Sequence, residues 1–277
     1  MAEIVGGFGV PHNPHFPLWV ANGAPAAAEI ERLYGGVADH LRRVRPDVLV
    51  VFTADHYNIF FEECVPIFSI GVAESAEGAS DYPELRRRLV PIAAELARHV
   101  HGHTVRAGFD VGMSQEFAFD HTVIVPLHFL VPEGAVPVVP VFVNALIPPL
   151  PSAPRCLALG RAIADAIRSA PDPLRVAVVA SGSFSLEIGG PRISADSHTG
   201  VPAPEWVDRV MELLADGDVE RLVEEATEER LDRAGNAGGE LLEWIAMLGT
   251  IEARAPAFLD AQPAFGHGYA AWPAAGA

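Results

Sequence analysis

Short apolar runs alternate with longer amphipathic stretches along most of this chain, and no other feature constrains its fold as much. Three Val-rich runs bounded by turn residues have the pattern of buried strands: 4–10, 46–54 and 174–181. A fourth run, 136–143, contains two prolines, which favour an edge strand or a bulge. Helices are predicted at 26–43, 83–100, 155–169, 204–215 and 238–249. The alternation predicts a single α/β domain over residues 1–277, with a mainly parallel or mixed central sheet flanked by helices.

The expected place for a binding site follows from this fold class. Open α/β sheets bind ligands beyond the carboxyl ends of their strands, so we expect the active site there. The stretch after about residue 258 is rich in Gly and Ala. We predict that 258–277 is either a mobile tail or a flap that closes over the site.

Composition and charge exclude some classes of function. The formal net charge of −17 argues against a nucleic-acid surface, which needs clustered cationic side chains. The chain has no apolar run long enough to span a membrane and no signal-peptide pattern at its N-terminus, so we expect a cytoplasmic protein. Cys64 and Cys156 are far apart in sequence, and we expect both to be reduced thiols.

Two histidines follow predicted strands directly. His12 comes after the first strand and His56 after the second, so both side chains can converge on one crevice. Imidazole is a good ligand for iron, zinc and copper, although each histidine alone also suits a loop or hydrogen-bonding role. His15 is a weaker competitor for the place of His12.

Glu240 is the candidate anionic ligand. It falls in the first turn of a predicted apolar helix, after Gly235, Gly238 and Gly239. One interpretation is a helix-start acid favoured by the helix dipole. The other is that the glycines let the helix start approach a metal. Two histidines and one carboxylate on one face leave open positions on Fe(II), as oxygen-activating enzymes require.

Two further segments contain polar side chains that suit catalysis. His121 precedes an apolar stretch and follows Asp120, which would raise the pKa of the imidazole towards neutrality. A capping histidine is the alternative. Small residues and glycines at 181–192 follow the third predicted strand. They indicate either backbone close to a ligand or a tight turn.

These motifs together resemble the class III extradiol dioxygenases, and in particular the catalytic β subunit of protocatechuate 4,5-dioxygenase. The resemblance runs over nearly the whole chain, in order and in spacing. The segments that carry it are His12, the Asp55–His56 pair, 66–74, 119–127, 155–163, 181–192 and 238–247.

The resemblance implies a cofactor and a reaction. The iron ligands of the family fall on His12, His56 and Glu240, and its first acid–base histidine falls on His121. It implies one non-haem Fe(II) that binds a catecholic acid, such as protocatechuate or gallate, together with O₂. The expected activity is extradiol ring cleavage.

Leu186 departs from the family pattern. The family has Gly-Gly-x-Ser-His in this segment, and here Leu186 stands where the catalytic histidine is expected. Leucine can neither accept a proton nor hydrogen-bond to oxygen, so we expect slow turnover that Leu186→His would raise by orders of magnitude. The substitution was introduced to trap a complex, or the enzyme relies on His121 or another group, or ring cleavage has been lost.

Two other functions remain open at this point. One is a pseudoenzyme that binds iron and catechols. The other is a hydrolase with Zn²⁺ on the same three ligands.

Substrate contacts and partners are the least defined expectations. Ser183 and Arg192 are candidates for binding a carboxylate, although Arg192 also suits a surface ion pair. Tyr57, Phe184 and Phe16 suit either an aromatic pocket or core packing. The family resemblance implies a small α-type subunit that covers the site, or else a homo-oligomer that closes it.

Overall fold

A computed structural model describes residues 1–132, 136–251 and 254–274. Its main feature is one eight-stranded sheet in the order β11-β12-β1-β8-β2-β7-β3-β6. The strands of this sheet are β1 (Glu3–Val10), β2 (Val48–Thr53), β3 (Phe68–Gly71), β6 (Val111–Ser114), β7 (Val138–Val143), β8 (Arg175–Ser181), β11 (Phe258–Gln262) and β12 (His267–Pro273). Two small hairpin sheets are formed by β4 (Ser75–Gly78) with β5 (Arg88–Pro91), and by β9 (Glu187–Ile188) with β10 (Thr199–Gly200).

The sheet is mixed but parallel at its centre. Strands β1, β8, β2 and β7 are parallel, whereas β3 and β12 run antiparallel to their neighbours β7 and β1. The described helices are α1 (Phe16–Ala21), α2 (Ala27–Val44), α3 (Ala94–Arg106), α4 (His121–Leu130), α5 (Ala153–Arg168), α6 (Pro204–Asp216), α7 (Val219–Glu225), α8 (Glu228–Arg233) and α9 (Leu241–Thr250). The predicted α/β fold class is confirmed.

Central strands and helices pack as their sequences indicate. All six residues of β2 are buried, as expected for a parallel strand covered on both faces. Helix α2 has an apolar stripe that includes Ile30, Leu33 and Val37, which matches the helical period. Helices α5 and α9 lie so close that a Cβ on Gly160 would stand 2.0 Å from the carbonyl oxygen of Ala246.

Two predicted elements differ from the structure. Strand β7 lies inside the sheet, not at its edge. This position tolerates Pro140 because the proline comes just beyond the residues of β7 that pair with β3. The missing N–H of Pro140 therefore costs little on that side. The helix predicted at 83–100 begins only at Ala94, since Pro91 lacks the donor that a helix interior needs and ends β5 instead.

The stretch after residue 258, predicted to be a mobile tail or a flap, forms part of the main sheet in the residues that the structure describes. Strands β11 and β12 belong to the main sheet, and β12 pairs with β1. Tyr269, Ala270 and Ala271 are fully buried, because their small or aromatic side chains fill the space beside β1. Residues 275–277 lie outside the described residues.

Both cysteines have free thiols. Among the helices that the structure describes, none is long and apolar enough to cross a membrane.

Candidate metal centre and active site

The adjacent parallel strands β1, β8 and β2 deliver the first functional side chains to one edge of the sheet. Val10 at the end of β1 pairs with Ser181 at the end of β8, and β2 lies on the other side of β8. His12 and His56 follow β1 and β2, and their ring centroids lie 5.2 Å apart. The expected convergence of the two imidazoles is therefore present.

Glu240 reaches the same point from a different direction. It lies in a short 3-10 turn, Gly238–Glu240, that leads into α9, and its side chain is fully buried. A Cβ on Gly182 would lie 2.7 Å from Glu240 Cβ, and a Cβ on Gly239 would lie 2.1 Å from the carbonyl oxygen of Ala145. Only glycine fits at these two positions, which lets the start of α9 approach the strand ends.

Three potential ligand atoms meet in the space between these residues. Glu240 Oε1 lies 3.2 Å from His12 Nε2 and 3.3 Å from His56 Nε2. Glu240 Oε1 and His56 Nε2 are buried, and neither has a hydrogen-bond partner in the described part of the chain. Leaving a buried polar atom unpaired costs about 1–3 kcal/mol. A cation bound between the three atoms removes this cost, so the residues fit a metal ion.

The orientation of His12 supports the same conclusion. The hydroxyl of Ser181 donates to the carbonyl oxygen of Thr122 (2.7 Å), so it accepts the proton of His12 Nδ1 (2.9 Å). This hydrogen bond fixes the tautomer, and His12 Nε2 then presents a lone pair towards Glu240 Oε1. A lone pair facing a carboxylate oxygen is repulsive unless a cation lies between them.

The second oxygen of Glu240 is held in place, and the side chain is charged. The backbone N–H of Ser183 donates to Glu240 Oε2 (2.7 Å). Burial alone would raise the pKa of Glu240. Interactions with the neighbouring His12 and His56 imidazoles outweigh burial and hold this pKa well below 4.5. A bound metal cation acts in the same direction, and Glu240 is the anionic group of the site.

His121 is the third imidazole here, and Asp81 rather than Asp120 is its partner. Asp81 accepts from His121 Nδ1 and from its backbone N–H. Asp120 instead caps α4 by accepting from Thr122 and also accepts from the backbone of His56. Burial lowers the pKa of His121, despite the opposing effect of Asp81. Asp120 does act to raise this pKa, as expected, but the expected net rise is wrong because desolvation dominates.

The three imidazoles form a compact group. The ring of His121 lies 4.8 Å from that of His56 and 5.4 Å from that of His12. One ligand atom from each of the three lies within 4.8 Å of the others. His121 is therefore close enough either to compete with Glu240 as a ligand or to contact a molecule bound at the metal.

A cavity of about 620 Å³ opens beside these groups. Its wall includes His12, His56 and His121, and also Ser183 and Leu186. The remaining wall is largely aromatic and aliphatic, with Trp19, Phe265, Ile188 and Val201 among its residues. A site of this size and composition suits a small aromatic molecule.

Comparison with known proteins identifies the family. A family model described as the catalytic LigB subunit of aromatic ring-opening dioxygenase matches residues 6–267. This chain belongs to that family. Family membership makes it a metal-dependent, ring-cleaving dioxygenase that acts on an aromatic substrate with O₂.

Named relatives of this LigB-family chain include two kinds of dioxygenase. A 2,3-dihydroxyphenylpropionate/2,3-dihydroxicinnamic acid 1,2-dioxygenase from Cupriavidus necator is 30% identical, over 87% of this chain and 88% of the relative. A gallate dioxygenase from Pseudomonas putida is 34% identical over 60% of this chain and 48% of its own length. These names do not single out protocatechuate 4,5-dioxygenase.

A solved structure shares the fold. An uncharacterized protein from Escherichia coli K12 superposes with a TM-score of 0.59, at 15% sequence identity, over 97% of this chain and 98% of the other. At this identity the likeness concerns only the arrangement of the sheet and helices.

Three residues predicted to contact substrate lie away from the cavity wall of this LigB-family protein. Phe184 is fully buried and packs against Trp244, with ring centroids 4.8 Å apart. Phe16 is also fully buried and lies behind the wall, 5.6 Å from the ring of Phe265. Tyr57 is 49% exposed and has a left-handed backbone with φ +55°. Core packing, the alternative interpretation, describes the first two.

Arg192 is engaged elsewhere as well. Its guanidinium donates to the buried carboxylate of Glu187 (3.3 Å) and to Asp232 (2.6 Å). Arg192 therefore neutralises a buried acid near the β9 hairpin and is not part of the cavity wall. Of the five predicted substrate contacts, only Ser183 lines the cavity.

Sequence reasoning missed much of the cavity wall, including the titratable side chains of Asp81 and His267. Asp81 lies in a loop with no strand or glycine pattern to mark it, and only its contact with His121 gives it a role. His267 was assigned to the predicted tail, but it begins β12 and is 2% exposed. Its signal was a lone histidine before the stretch of small and aromatic residues at 268–272.

Proposed function

We propose that this protein binds one Fe(II) through His12, His56 and Glu240 and uses it to cleave a catecholic ring with O₂ in the extradiol manner. The observation that carries the proposal is the convergence of Glu240 Oε1 on the Nε2 atoms of two histidines, with buried atoms left unpaired. Two histidines and a carboxylate are the ligand set of oxygen-activating non-haem iron. Membership in the LigB family agrees with that chemistry.

The protein's own groups would prepare the metal and the substrate. When bound, Fe(II) supplies open positions for substrate and O₂ and a redox route from the electron-rich ring to oxygen, which Zn²⁺ lacks. Ser181 holds His12 in its ligating tautomer, and the N–H of Ser183 orients Glu240. Such supporting contacts set ligand geometry as firmly as the ligands themselves do.

His121 is the side chain best placed to take a substrate proton. Its Nδ1 donates to Asp81, so its Nε2 has a free lone pair when the ring is neutral. Burial lowers the pKa of the imidazole, which keeps it neutral at pH 7 and able to accept a proton from a catechol hydroxyl. Asp81 then stabilises the imidazolium that forms, in the manner of other acid–base pairs.

The cavity wall bears on which catechol is bound. A catecholic acid was expected, with Arg192 as one anchor, but the described residues that line the cavity include no Arg, and the chain has no Lys. Asp81 adds an acidic group to this wall. We therefore propose a substrate with an uncharged, apolar substituent lying against Trp19 and Phe265.

A matched pair of ligands tests the substituent. A catechol that carries a carboxylic acid side chain and the methyl ester of the same compound differ mainly in charge. We expect the ester to bind more tightly under anaerobic conditions. Equal or tighter binding of the acid would show that histidines at the rim, or another group, hold a carboxylate.

Closure of the site is a further part of the proposal. Reactive oxygen intermediates need a water-poor environment, which also strengthens local electrostatics. We propose that a second copy of the chain or a small partner subunit covers the opening. A scattering mass that shows a fully active monomer without a partner would contradict this.

Metal analysis with oxygen uptake tests the function as a whole. Apoprotein is loaded anaerobically with Fe(II) or with Zn²⁺, titrated with catechols, and then exposed to O₂. The proposal expects one iron per chain and stoichiometric O₂ uptake with the iron form alone. Iron and catechol binding without uptake would indicate a pseudoenzyme. Ester hydrolysis by the zinc form would indicate a hydrolase, for which the three neighbouring imidazoles are a suitable ligand set.

A further inference from the structure

Leu186 leaves one wall of the cavity without the polar side chain that the family motif places there. It is half-buried and lines the cavity. His121 acts from α4, and a catechol that binds a metal through both oxygens has two protons to release. A second polar group near Leu186 would accept the proton that His121 does not take.

His267 occupies the same wall. It begins β12, lines the cavity and is 2% exposed. Its ring stacks on Phe265, with centroids 5.8 Å apart, and meets the edge of Phe16 at 5.5 Å. Two aromatic neighbours and a position on a strand of the main sheet hold this imidazole in one place.

The segment that contains Leu186 lies directly against the start of β12. The N–H of Phe184 donates to the carbonyl oxygen of Gly266 (2.8 Å). A Cβ on Gly266 would stand 1.9 Å from the carbonyl oxygen of Ser185. The two backbones are in contact next to Leu186 and His267, so the two side chains enter the cavity from adjacent parts of its wall.

One ring nitrogen of His267 lacks a hydrogen-bond partner among the described residues. This atom, Nδ1, is buried. Buried polar atoms in native proteins are nearly always paired, and exceptions mark functional sites or bound molecules. His15 and His198 also line the cavity, but both are exposed and water satisfies them.

We propose that His267 is a catalytic residue that replaces the histidine missing at position 186, and that it accepts the second proton of the bound catechol. In this step the catechol O–H bond breaks, its electron pair stays on oxygen, and an N–H bond forms on the imidazole. The inference rests on the proposed function, because it requires a catechol at the metal.

The electrostatic surroundings agree with this role. Burial, and then the proximity of His12, lower the pKa of His267 to about 3, so the free protein presents a neutral ring. A bound catecholate brings negative charge to the cavity, which raises the proton affinity of a nearby imidazole.

The test moves the imidazole from one wall to the other. Four variants are compared with the parent: His267→Leu, His267→Gln, Leu186→His and the double variant with Leu at 267 and His at 186. His103→Ala, on α3 and away from the cavity, is the control for loss of a histidine. Each is loaded with Fe(II), and metal content and melting temperature are recorded.

Removing the imidazole should affect turnover more than binding. His267→Leu should lower kcat by about 10²–10⁴-fold, the usual contribution of a positioned acid–base group, and change KM much less. His267→Gln should retain catechol binding and lose kcat. The double variant should recover most of the parental kcat.

A spectroscopic reading is independent of turnover. Anaerobic difference spectra of bound catechol distinguish the singly from the doubly deprotonated form. The parent and the double variant should show the doubly deprotonated form, and His267→Leu the singly deprotonated form.

Leu186→His tests the inference even if every change at His267 impairs folding. The sequence alone predicts a gain of orders of magnitude from this variant. With His267 in place, a second imidazole should instead raise kcat by less than about tenfold, well below the effect of a missing acid–base group. A gain of several orders of magnitude would overturn the inference, as would an unchanged kcat and spectrum in folded His267→Leu. A parent that binds no catechol overturns the proposed function and this inference together.

Discussion

Glu240 and Glu243 are both fully buried and lie three residues apart at the start of α9, yet their environments are opposite. Glu240 accepts a backbone N–H and faces two histidines. Neither oxygen of Glu243 has a hydrogen-bond partner in the described part of the chain. The pKa of Glu240 is held well below 4.5, whereas burial raises that of Glu243 well above it.

The difference shows that partners, and not depth, decide the charge of a buried carboxyl. Desolvation disfavours the ionised form of both residues equally. Only Glu240 has imidazole neighbours to offset it, and its charge also opposes ionisation of Glu243. One helical turn therefore carries an ionised carboxylate and a neutral acid.

The largest expected effect is a difference in metal content between variants of Glu240 and variants of Glu243. Glu240→Gln keeps the acceptor for Ser183 but removes the negative charge, so we expect almost no iron per chain by elemental analysis. Glu243→Gln should retain one iron per chain. Equal iron contents in the two variants would remove Glu240 from the ligand set and leave His121 as the third ligand.

The next largest effect is a loss of stability expected from disturbing the close packing around Glu240. Gly182→Ala would place a Cβ 2.7 Å from Glu240 Cβ and 2.9 Å from its carbonyl oxygen. Overpacking of this kind costs about 1–3 kcal/mol, and we expect a lower denaturation midpoint and weaker metal binding. Gly35→Ala is the matched control, since nothing lies within 4 Å of its added Cβ. It should stabilise α2 by about 0.5–1 kcal/mol.

Loss of the hydroxyl that orients His12 should have a moderate effect. Ser181→Ala removes the acceptor for His12 Nδ1 and frees the other tautomer. Supporting contacts of this kind are worth about 10–100-fold in metal affinity or activity. Competition with a chelator of known affinity measures the change, and an unchanged affinity would mean that another contact fixes the imidazole.

The last effect is a pH dependence of stability at Glu243. Well below pH 4.5 the carboxyl is protonated in the folded and unfolded chains, and its contribution to stability does not change with pH. As pH rises above 4.5 the unfolded chain ionises while the folded chain stays neutral, so the parent loses about 1.4 kcal/mol per pH unit until the raised folded pKa is reached.

Urea titrations over a range of pH measure this loss. Glu243→Gln cannot ionise, so its free energy of unfolding relative to the parent should increase with pH above 4.5. Glu31→Gln, on the exposed face of α2, is the control. A constant difference between Glu243→Gln and the parent would show that Glu243 has an ordinary pKa.

The sequence was most informative where local pattern and chemistry coincide. Val-rich strands and the residues that follow them located His12 and His56, and a glycine-led helix start located Glu240. Long-range pairing carries no such local signal. Asp81 and His267 are far in sequence from the other site residues, and only the fold brings them to the cavity. Arg192 lies outside the cavity wall because its guanidinium is bound by Glu187 and Asp232. The expectations for the strand that contains Pro140 and for the β12 segment differ from the structure for the same reason. Pairing with a strand distant in sequence sets the position of each segment in the sheet.

Strand β1 has as its two neighbours β8 and β12, which arrive about 170 and 260 residues later in the chain. During synthesis β1 therefore has both edges unpaired until β8 emerges, and one edge unpaired until nearly all of the protein has emerged. Contacts of such sequence separation form slowly. An unpaired apolar strand is prone to aggregation. His12 cannot be oriented before β8 brings Ser181 beside it, so metal should enter only after the chain has folded. The strand order thus predicts that metal is inserted late, after the sheet has closed around β1.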